Sequence, residues 1–254
     1  MPNYQITVVM PALNEEKNIE IAVSETFAAF ERLKIAGEIV LVNDGSQDKT
    51  PVMADAMKQK YGHMQVIHHT EPKGIGYSFW EGAQSAQGDV VTMLPGDGEN
   101  DPIEILRYLP LMREVDIVVP FVYNQEVRGR RRRLVSMTYK AIINLSFGLL
   151  LNYMNGTVMY RRSVLHSLSL RSKGFFYQTE LLIKAIRKGY LYAEVPYALG
   201  TRSSGKSKAL TFKSLFKLSK DFLATAYSVH FVGRGLEHTF PPESITGQRR
   251  GITS

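Results

Sequence analysis

Apolar positions recur along the first half of the chain in two alternating periods. Residues 6–10 (ITVVM) form a short β-branched run closed by Pro11, the pattern of a buried strand. Residues 37–42 (GEIVLV), 65–69, 89–94 (DVVTML) and 116–120 (DIVVP) repeat that pattern. Between these runs lie segments with apolar residues at helical spacing. The first is predicted to open at Asn14 as N-cap, with Glu15 and Glu16 in the opening turn where the helix dipole favours acids, and to run to Leu33. The second opens at Thr50 and Pro51 as N-cap and N1, and a third covers 76–87. Short, wholly apolar strands alternating with helices predict an α/β fold, a mostly parallel central sheet flanked by helices. Ligands of such sheets bind outside the carboxyl ends of the strands. The turn-rich segments after the first, second and fourth strands are therefore where chemistry is expected.

The second half reads differently. Residues 134–153 and 209–231 are apolar at helical spacing, the latter with Lys interleaved among Leu, Phe and Tyr. Such C-terminal amphipathic helices either pack on a core or lie in a membrane interface. From 233 to 254 no apolar periodicity remains, which predicts a loose tail.

Charge sharpens this division. The 254 residues carry 31 Lys+Arg and 24 Asp+Glu, a formal net charge of +7. Residues 1–127 hold 9 basic and 19 acidic side chains, whereas residues 128–254 hold 22 basic and 5 acidic. Arg128, Arg130, Arg131, Arg132 and Arg133 stand almost together, and Arg202, Lys206, Lys208, Lys213, Lys217 and Lys220 follow with no acid among them. Such clusters point to an anionic partner, a phosphate or a lipid head group. The plain alternative is two solvated faces of one domain. No nucleic-acid recognition motif accompanies the charge, so no nucleic-acid partner is expected. The absence of cysteine excludes disulfides, thiolate metal sites and a Cys nucleophile, and fits a reducing compartment. The N-terminal residues Met1-Pro2-Asn3-Tyr4 carry no signal-peptide pattern. The longest mostly apolar run, 141–151, falls short of the roughly 18 to 20 residues a spanning helix needs. The expectation is a chain that is soluble or lies on a membrane. The six histidines show no ligand spacing; His68 and His69 would point to opposite sides of a strand and are read as structural, and Trp80 is read as core.

Four motifs sit in the expected places: Pro11-Ala-Leu-Asn-Glu15, Val42-Asn-Asp44-Gly-Ser-Gln-Asp48-Lys-Thr50, Lys73-Gly74-Ile-Gly76, and Leu94-Pro-Gly-Asp97-Gly-Glu99-Asn-Asp101-Pro102. Asn155-Gly156, Gln178-Thr-Glu180 and Gly205-Lys206-Ser-Lys208 follow in order. Each is weak alone, and Lys73 to Gly76 is neither a dinucleotide fingerprint nor a P-loop. Together, over residues 5–230, they resemble the family 2 glycosyltransferases of GT-A (Rossmann-like) fold. Within that family the chain is most similar to the polyprenyl-phosphate sugar transferases, the group of dolichol-phosphate mannose synthase.

That resemblance implies a single domain over 1–232, with 1–127 binding a nucleotide-sugar and 128–232 binding the acceptor. It implies a GDP- or UDP-sugar donor, a polyprenyl phosphate acceptor of dolichyl or undecaprenyl type, Mg²⁺ or Mn²⁺, and an inverting transfer at the cytoplasmic face of a membrane. Pro11, Ala12 and Glu15 match the wall of the nucleotide site, Asp44 the residue that meets the base, and Lys73 and Gly74 the following loop. A turn former at Asp44, a helix-start acid at Glu15 and a solvated lysine at Lys73 are the plain readings. The chain departs from the family in its metal motif, where Pro95 stands in place of the first Asp. Asp97 matches the second, and Glu99 is a further oxygen donor for a hard cation; a surface turn is the alternative. Arg202, with Lys206 and Lys208, matches the basic loop that neutralises the leaving diphosphate. Arg132 and Ser136, with Arg202, resemble acceptor-phosphate contacts, although at least three of the five arginines in the run read rather as a solvated or membrane-facing basic patch.

Two other functions remain open. Transfer to a sugar hydroxyl requires a general base, for which Asp101 and Glu180 are candidates. The substitution at Pro95 also fits a nucleotide-sugar-binding protein without turnover.

Overall fold

The structure, a computed structural model, describes residues 4–124, 130–154, 156–198, 212–232 and 239–252; the side chains of 130–132, 212–216 and 232 lie outside the description. Its described strands form a seven-stranded sheet: β1 (Ile6–Ala12), β2 (Gly37–Asn43), β3 (Met64–His68), β4 (Val90–Met93), β5 (Ile117–Val122), β6 (Met159–Arg161) and β7 (Tyr192–Tyr197), in the order β3-β2-β1-β4-β6-β5-β7. β1 pairs in parallel with β2 and β4, and β2 with β3. β6 is antiparallel to both β4 and β5, while β7 returns parallel to β5. The expected α/β class and mostly parallel sheet are thus present. The short β6, with only three residues, carries too little pattern to be seen in sequence.

Alternate residues of each strand face opposite ways, and each face has its own apolar core. Val9, Val40, Val42, Val91 and Met93 pack with Phe79 and Ala83 of α3 (Ile75–Ser85), Leu165 of α6 (Arg162–His166) and Leu181 of α7 (Tyr177–Lys188). Trp80 packs against the same core, as expected. Ile6, Val8, Met10, Ile39 and Leu41 face the other way. They meet Ile19 and Val23 of α1 (Ile19–Leu33), Ala54 and Met57 of α2 (Thr50–Lys60), and Ile105 of α4 (Pro102–Leu106).

Helix starts differ from expectation in an informative way. α1 begins at Ile19, and Asn14 is not its cap but a left-handed loop residue with φ 58°. The reason is competition for donors. The Asn14, Glu15 and Glu16 N–H groups donate to Ser46 Oγ (2.9 Å), Thr50 Oγ1 (2.9 Å) and Asp48 Oδ2 (3.1 Å) of the next loop. Thr50 is likewise the first residue of α2 and not its cap. Its hydroxyl serves Glu15, and its own N–H donates to Asp48 Oδ1 at 2.9 Å.

The expected helix 134–153 is α5 (Arg130–Phe147), stopped by Gly148 in the left-handed region at φ 63°. The helix expected over 209–231 is α8 (Phe212–Tyr227), extended by a π turn over Ser228–Val232. Their apolar residues are divided between the core and the surface. Phe147 is buried and meets Phe222 edge-on at 5.6 Å, while Leu134, Met137, Leu145, Leu223, Tyr227 and Phe231 remain exposed.

The expected loose tail is corrected for its described part. Phe240 is buried against Tyr190, and α9 (Ile245–Arg250) is anchored on the fully buried Asp116. Asp116 accepts hydrogen bonds from Ser244 Oγ (2.9 Å), Ile245 N (2.8 Å), Thr246 N (2.9 Å) and Arg161 Nε (3.1 Å). The tie is polar and long-range, so it leaves no apolar period to read.

Candidate active site

The parallel run β3-β2-β1-β4 reverses its direction of growth between β1 and β4, which is where an open α/β sheet forms its ligand crevice. The loops after β1, β2 and β4 meet there because their backbones are tied together. Asp44 N–H donates to Ala12 O at 2.9 Å, and Gly96 N–H donates to Pro11 O at 3.0 Å. A side chain at Gly96 would place its Cβ 2.6 Å from Ile19 Cδ1 and 3.2 Å from Ala12 Cβ, so a larger residue there would have to displace the Ile19 side chain and push the β4 loop from β1. Pro11 and Ala12 are buried at the end of β1. Glu15 is half-buried and accepts Asn18 Nδ2 at 2.8 Å outside any helix.

Asp44 gathers the neighbouring loop around its carboxylate. Oδ1 accepts Lys73 N–H at 2.8 Å and faces His69 Nδ1 at 2.7 Å, and Oδ2 accepts Gly74 N–H at 2.9 Å. Gly45 has φ 74°, and a Cβ there would meet the Glu71 backbone at 2.5 Å, so the turn after Asp44 requires glycine. Burial raises the Asp44 carboxyl, but hydrogen bonds from Lys73, His69 and Gly74 and the charge of His69 outweigh it and hold the group below its ordinary value. A lowered native value means that Asp44 stabilises the fold above the usual carboxylate range and loses that contribution as pH falls through the native value. Asp44→Asn is therefore expected to flatten the acid limb of urea-unfolding midpoints plotted against pH; an unchanged limb would contradict this assignment.

Lys73 is exposed, with its ammonium over the Tyr77 ring at 4.7 Å, and Lys173 approaches the same ring at 5.3 Å. Asp97 and Glu99 are half-buried in the β4 loop, and Asp97 Oδ1 accepts Glu99 N–H at 3.0 Å. Among the described residues no group of three His, Cys, Asp or Glu side chains stands close enough to hold a metal. Two carboxylates two positions apart on one loop do supply hard oxygen donors. This donor set fits Mg²⁺ or Mn²⁺ when the remaining oxygens come from a diphosphate and water.

The candidate bases serve the scaffold. Asp101 caps α4, accepting Ile103 N–H at 2.8 Å. Glu180, 1% exposed, accepts Arg171 N–H (3.1 Å), Ser172 N–H (2.8 Å) and Lys184 Nζ (2.6 Å). Ser136 lines a hollow of about 20 Å³ with Val122, Arg133, Met137, Lys140, Asn152 and Tyr153, at the carboxyl end of β5. Arg132 is placed in α5, but its side chain lies outside the described residues, as do Asn155, Arg202, Lys206 and Lys208.

Sequence reasoning read His69 as structural. The structure adds that it bridges Asp44 and Glu81. Its place one residue beyond β3, level with Asp44 beyond β2, was the available signal. Arg133, Lys140 and Lys173 were not singled out as site residues, because helix phase and loop contact decide where they point.

The family model described as Glycosyl transferase family 2 matches residues 7–169. The chain is 28% identical over 224 residues to a dolichol-phosphate mannosyltransferase of Pyrococcus furiosus, covering 84% of this chain and 61% of that relative. The chain thus spans about three fifths of that relative's length. It is also 28% identical over 220 residues to a polyprenol monophosphomannose synthase of Mycolicibacterium smegmatis, covering 82% of each. Among solved structures it is similar to glucosyl-3-phosphoglycerate synthase of Mycobacterium tuberculosis in complex with UDP, with TM-score 0.63 and 24% identity over 89% of this chain and 80% of that one. The same enzyme with Mn²⁺, UDP and glucosyl-3-phosphoglycerate matches with TM-score 0.63 and 23% identity over the same shares of each chain. These neighbours share the fold.

Proposed function

Because the chain belongs to glycosyl transferase family 2, we propose that it moves a sugar, with inversion, from a nucleotide-sugar to a polyprenyl phosphate at a membrane surface. The observation that supports this reading is that Asp44, Asp97 and Glu99 stand on loops whose backbones are tied to the end of β1 at the β1–β4 crevice. Asp44 would meet the base, with Pro11, Ala12 and Glu15 as the wall and Lys73 and Gly74 closing over it. Asp97 and Glu99 would hold Mg²⁺ or Mn²⁺ against the diphosphate, and the bound ion would offset the negative charge that builds on the leaving group.

An acceptor phosphate oxygen bonds to the anomeric carbon as the bond from that carbon to the diphosphate oxygen breaks. A phosphate monoester is already anionic near neutral pH, so it needs orientation more than a base. The engagement of Asp101 and Glu180 in capping and loop bonds favours this acceptor over a sugar hydroxyl. Arg133, Ser136 and Lys140 around the β5 hollow suit the acceptor phosphate, with Arg132 and Arg202 as further contacts and Lys206 and Lys208 on the diphosphate. The exposed apolar residues of α5 and α8, beside Lys140, Lys217 and Lys220, support contact with an anionic bilayer surface. No helix among the described residues is long and apolar enough to cross a membrane.

The test is incubation of the protein with a panel of nucleotide-sugars and Mg²⁺ or Mn²⁺, with and without polyprenyl phosphate in anionic vesicles. Release of nucleoside diphosphate that depends on the lipid phosphate is expected. Nucleotide binding without turnover would favour the non-catalytic reading. Arg133→Ala is expected to raise the acceptor KM about tenfold and leave the donor KM within about twofold, by loss of one charged contact; equal effects on both substrates would remove the β5 hollow from the acceptor site.

A further inference from the structure

Asp44 does not orient itself. Its Oδ1 faces His69 Nδ1 at 2.7 Å, and His69 Nε2 in turn meets the Glu81 carboxylate. Both ring nitrogens thus face groups that, when ionised, only accept hydrogen bonds. A neutral imidazole has one N–H and can satisfy one of these contacts. The second takes another proton, on the ring or on Glu81. The surroundings keep water away from the Asp44 end: the side chains of His69, Asp44 and Glu81 are 1%, 7% and 34% exposed.

The groups around the ring come from each packed element. Asp44 stands beyond β2, and Glu81 and Tyr77 stand on α3, the Tyr77 ring meeting His69 edge-on at 5.5 Å. Lys73 and Lys173 lie over the Tyr77 ring, on loops before α3 and before α7. His68 turns the other way, to Asn43 and Asp55.

We infer that His69 is a positioning residue of the nucleotide site: held by Glu81 at one ring nitrogen, it pins the Asp44 carboxylate with the other. The inference rests on the proposal that Asp44 meets the base of the donor. Without His69 the Lys73 and Gly74 N–H groups still hold Asp44, so nucleotide binding weakens and is not lost.

The test uses the whole chain and the probes UDP and GDP, titrated by calorimetry at neutral pH. His69→Ala is expected to bind the preferred nucleotide about tenfold more weakly than wild type. His69→Asn places an amide N–H where Nδ1 stands, so it should recover affinity to within about threefold. Glu81→Gln, which weakens the hold on the far side of the ring, should cost about threefold. In steady state the loss in His69→Ala appears in donor KM with kcat little changed.

Wild-type affinity in His69→Ala, or no recovery in His69→Asn, overturns the inference and, with the wild-type protein binding nucleotide, leaves the nucleotide site standing. A wild-type protein that binds neither nucleotide sinks the nucleotide site, and the assigned role of His69 with it.

Discussion

Asp97→Ala is expected to slow sugar transfer about a thousandfold, the scale set by removing one group that stabilises developing charge. The fold should hardly change. Asp97 lies in an open loop, its carboxylate accepts the Glu99 N–H, and the flanking Gly98 already has φ 68°. A loop substitution of this kind costs about 0.5 kcal/mol or less. Asp97→Asn separates charge from shape, since the amide oxygen can still accept from Glu99. It should lose nearly as much activity as the alanine variant. Single-turnover transfer rates and a thermal melt of each variant make the comparison. Near-normal turnover in either would remove Asp97 from the leaving-group chemistry.

The largest stability effect is expected far from that loop, at Asp116. Asp116→Ala should lower the unfolding free energy by about 3 to 5 kcal/mol, as when one partner of a buried ion pair is removed. Arg161 would lose the carboxylate that accepts its Nε, and the N–H groups of Ile245 and Thr246 and the Ser244 hydroxyl would lose their acceptor. The damage should begin at the C-terminus, because α9 is held by these bonds together with Phe240 on Tyr190 and Thr246 Oγ1 on the Leu191 N–H. Urea unfolding gives the magnitude, and limited proteolysis gives the place. Release of the segment beyond residue 239 before the core opens is expected. A variant as stable and as protease-resistant as wild type would show that the tail is only resting on the sheet.

Strands β1 to β5 were legible because each is a compact apolar run, and their alternation with helices is enough for the α/β class. The loops after β1, β2 and β4 were legible too, because turn residues and carboxylates stand out against those runs. The errors have one cause. Asn14 reads as a helix cap by its type and by the acids after it, yet Ser46, Asp48 and Thr50 take the N–H groups of residues 14–16, and α1 waits until Ile19. Glu180 reads as a candidate base, yet the backbone of Arg171 and Ser172 and the Lys184 ammonium occupy it. The tail reads as loose because four of the polar bonds that attach it go to a single residue more than a hundred positions away.

Local pattern by itself determined which residues can enter a sheet, where the chain must turn and which carboxylates the turns display. Those properties follow from the apolarity, branching and backbone freedom of neighbouring residues, which act over a few positions. Tertiary structure alone decided what each polar group does. A carboxylate becomes a cap, a latch, a loop clasp or a site ligand according to which donors the fold brings within about 3 Å of it. His69 shows the difference most plainly, since its partners Asp44 and Glu81 stand 25 residues before it and 12 after it and meet only when β2 and α3 pack together.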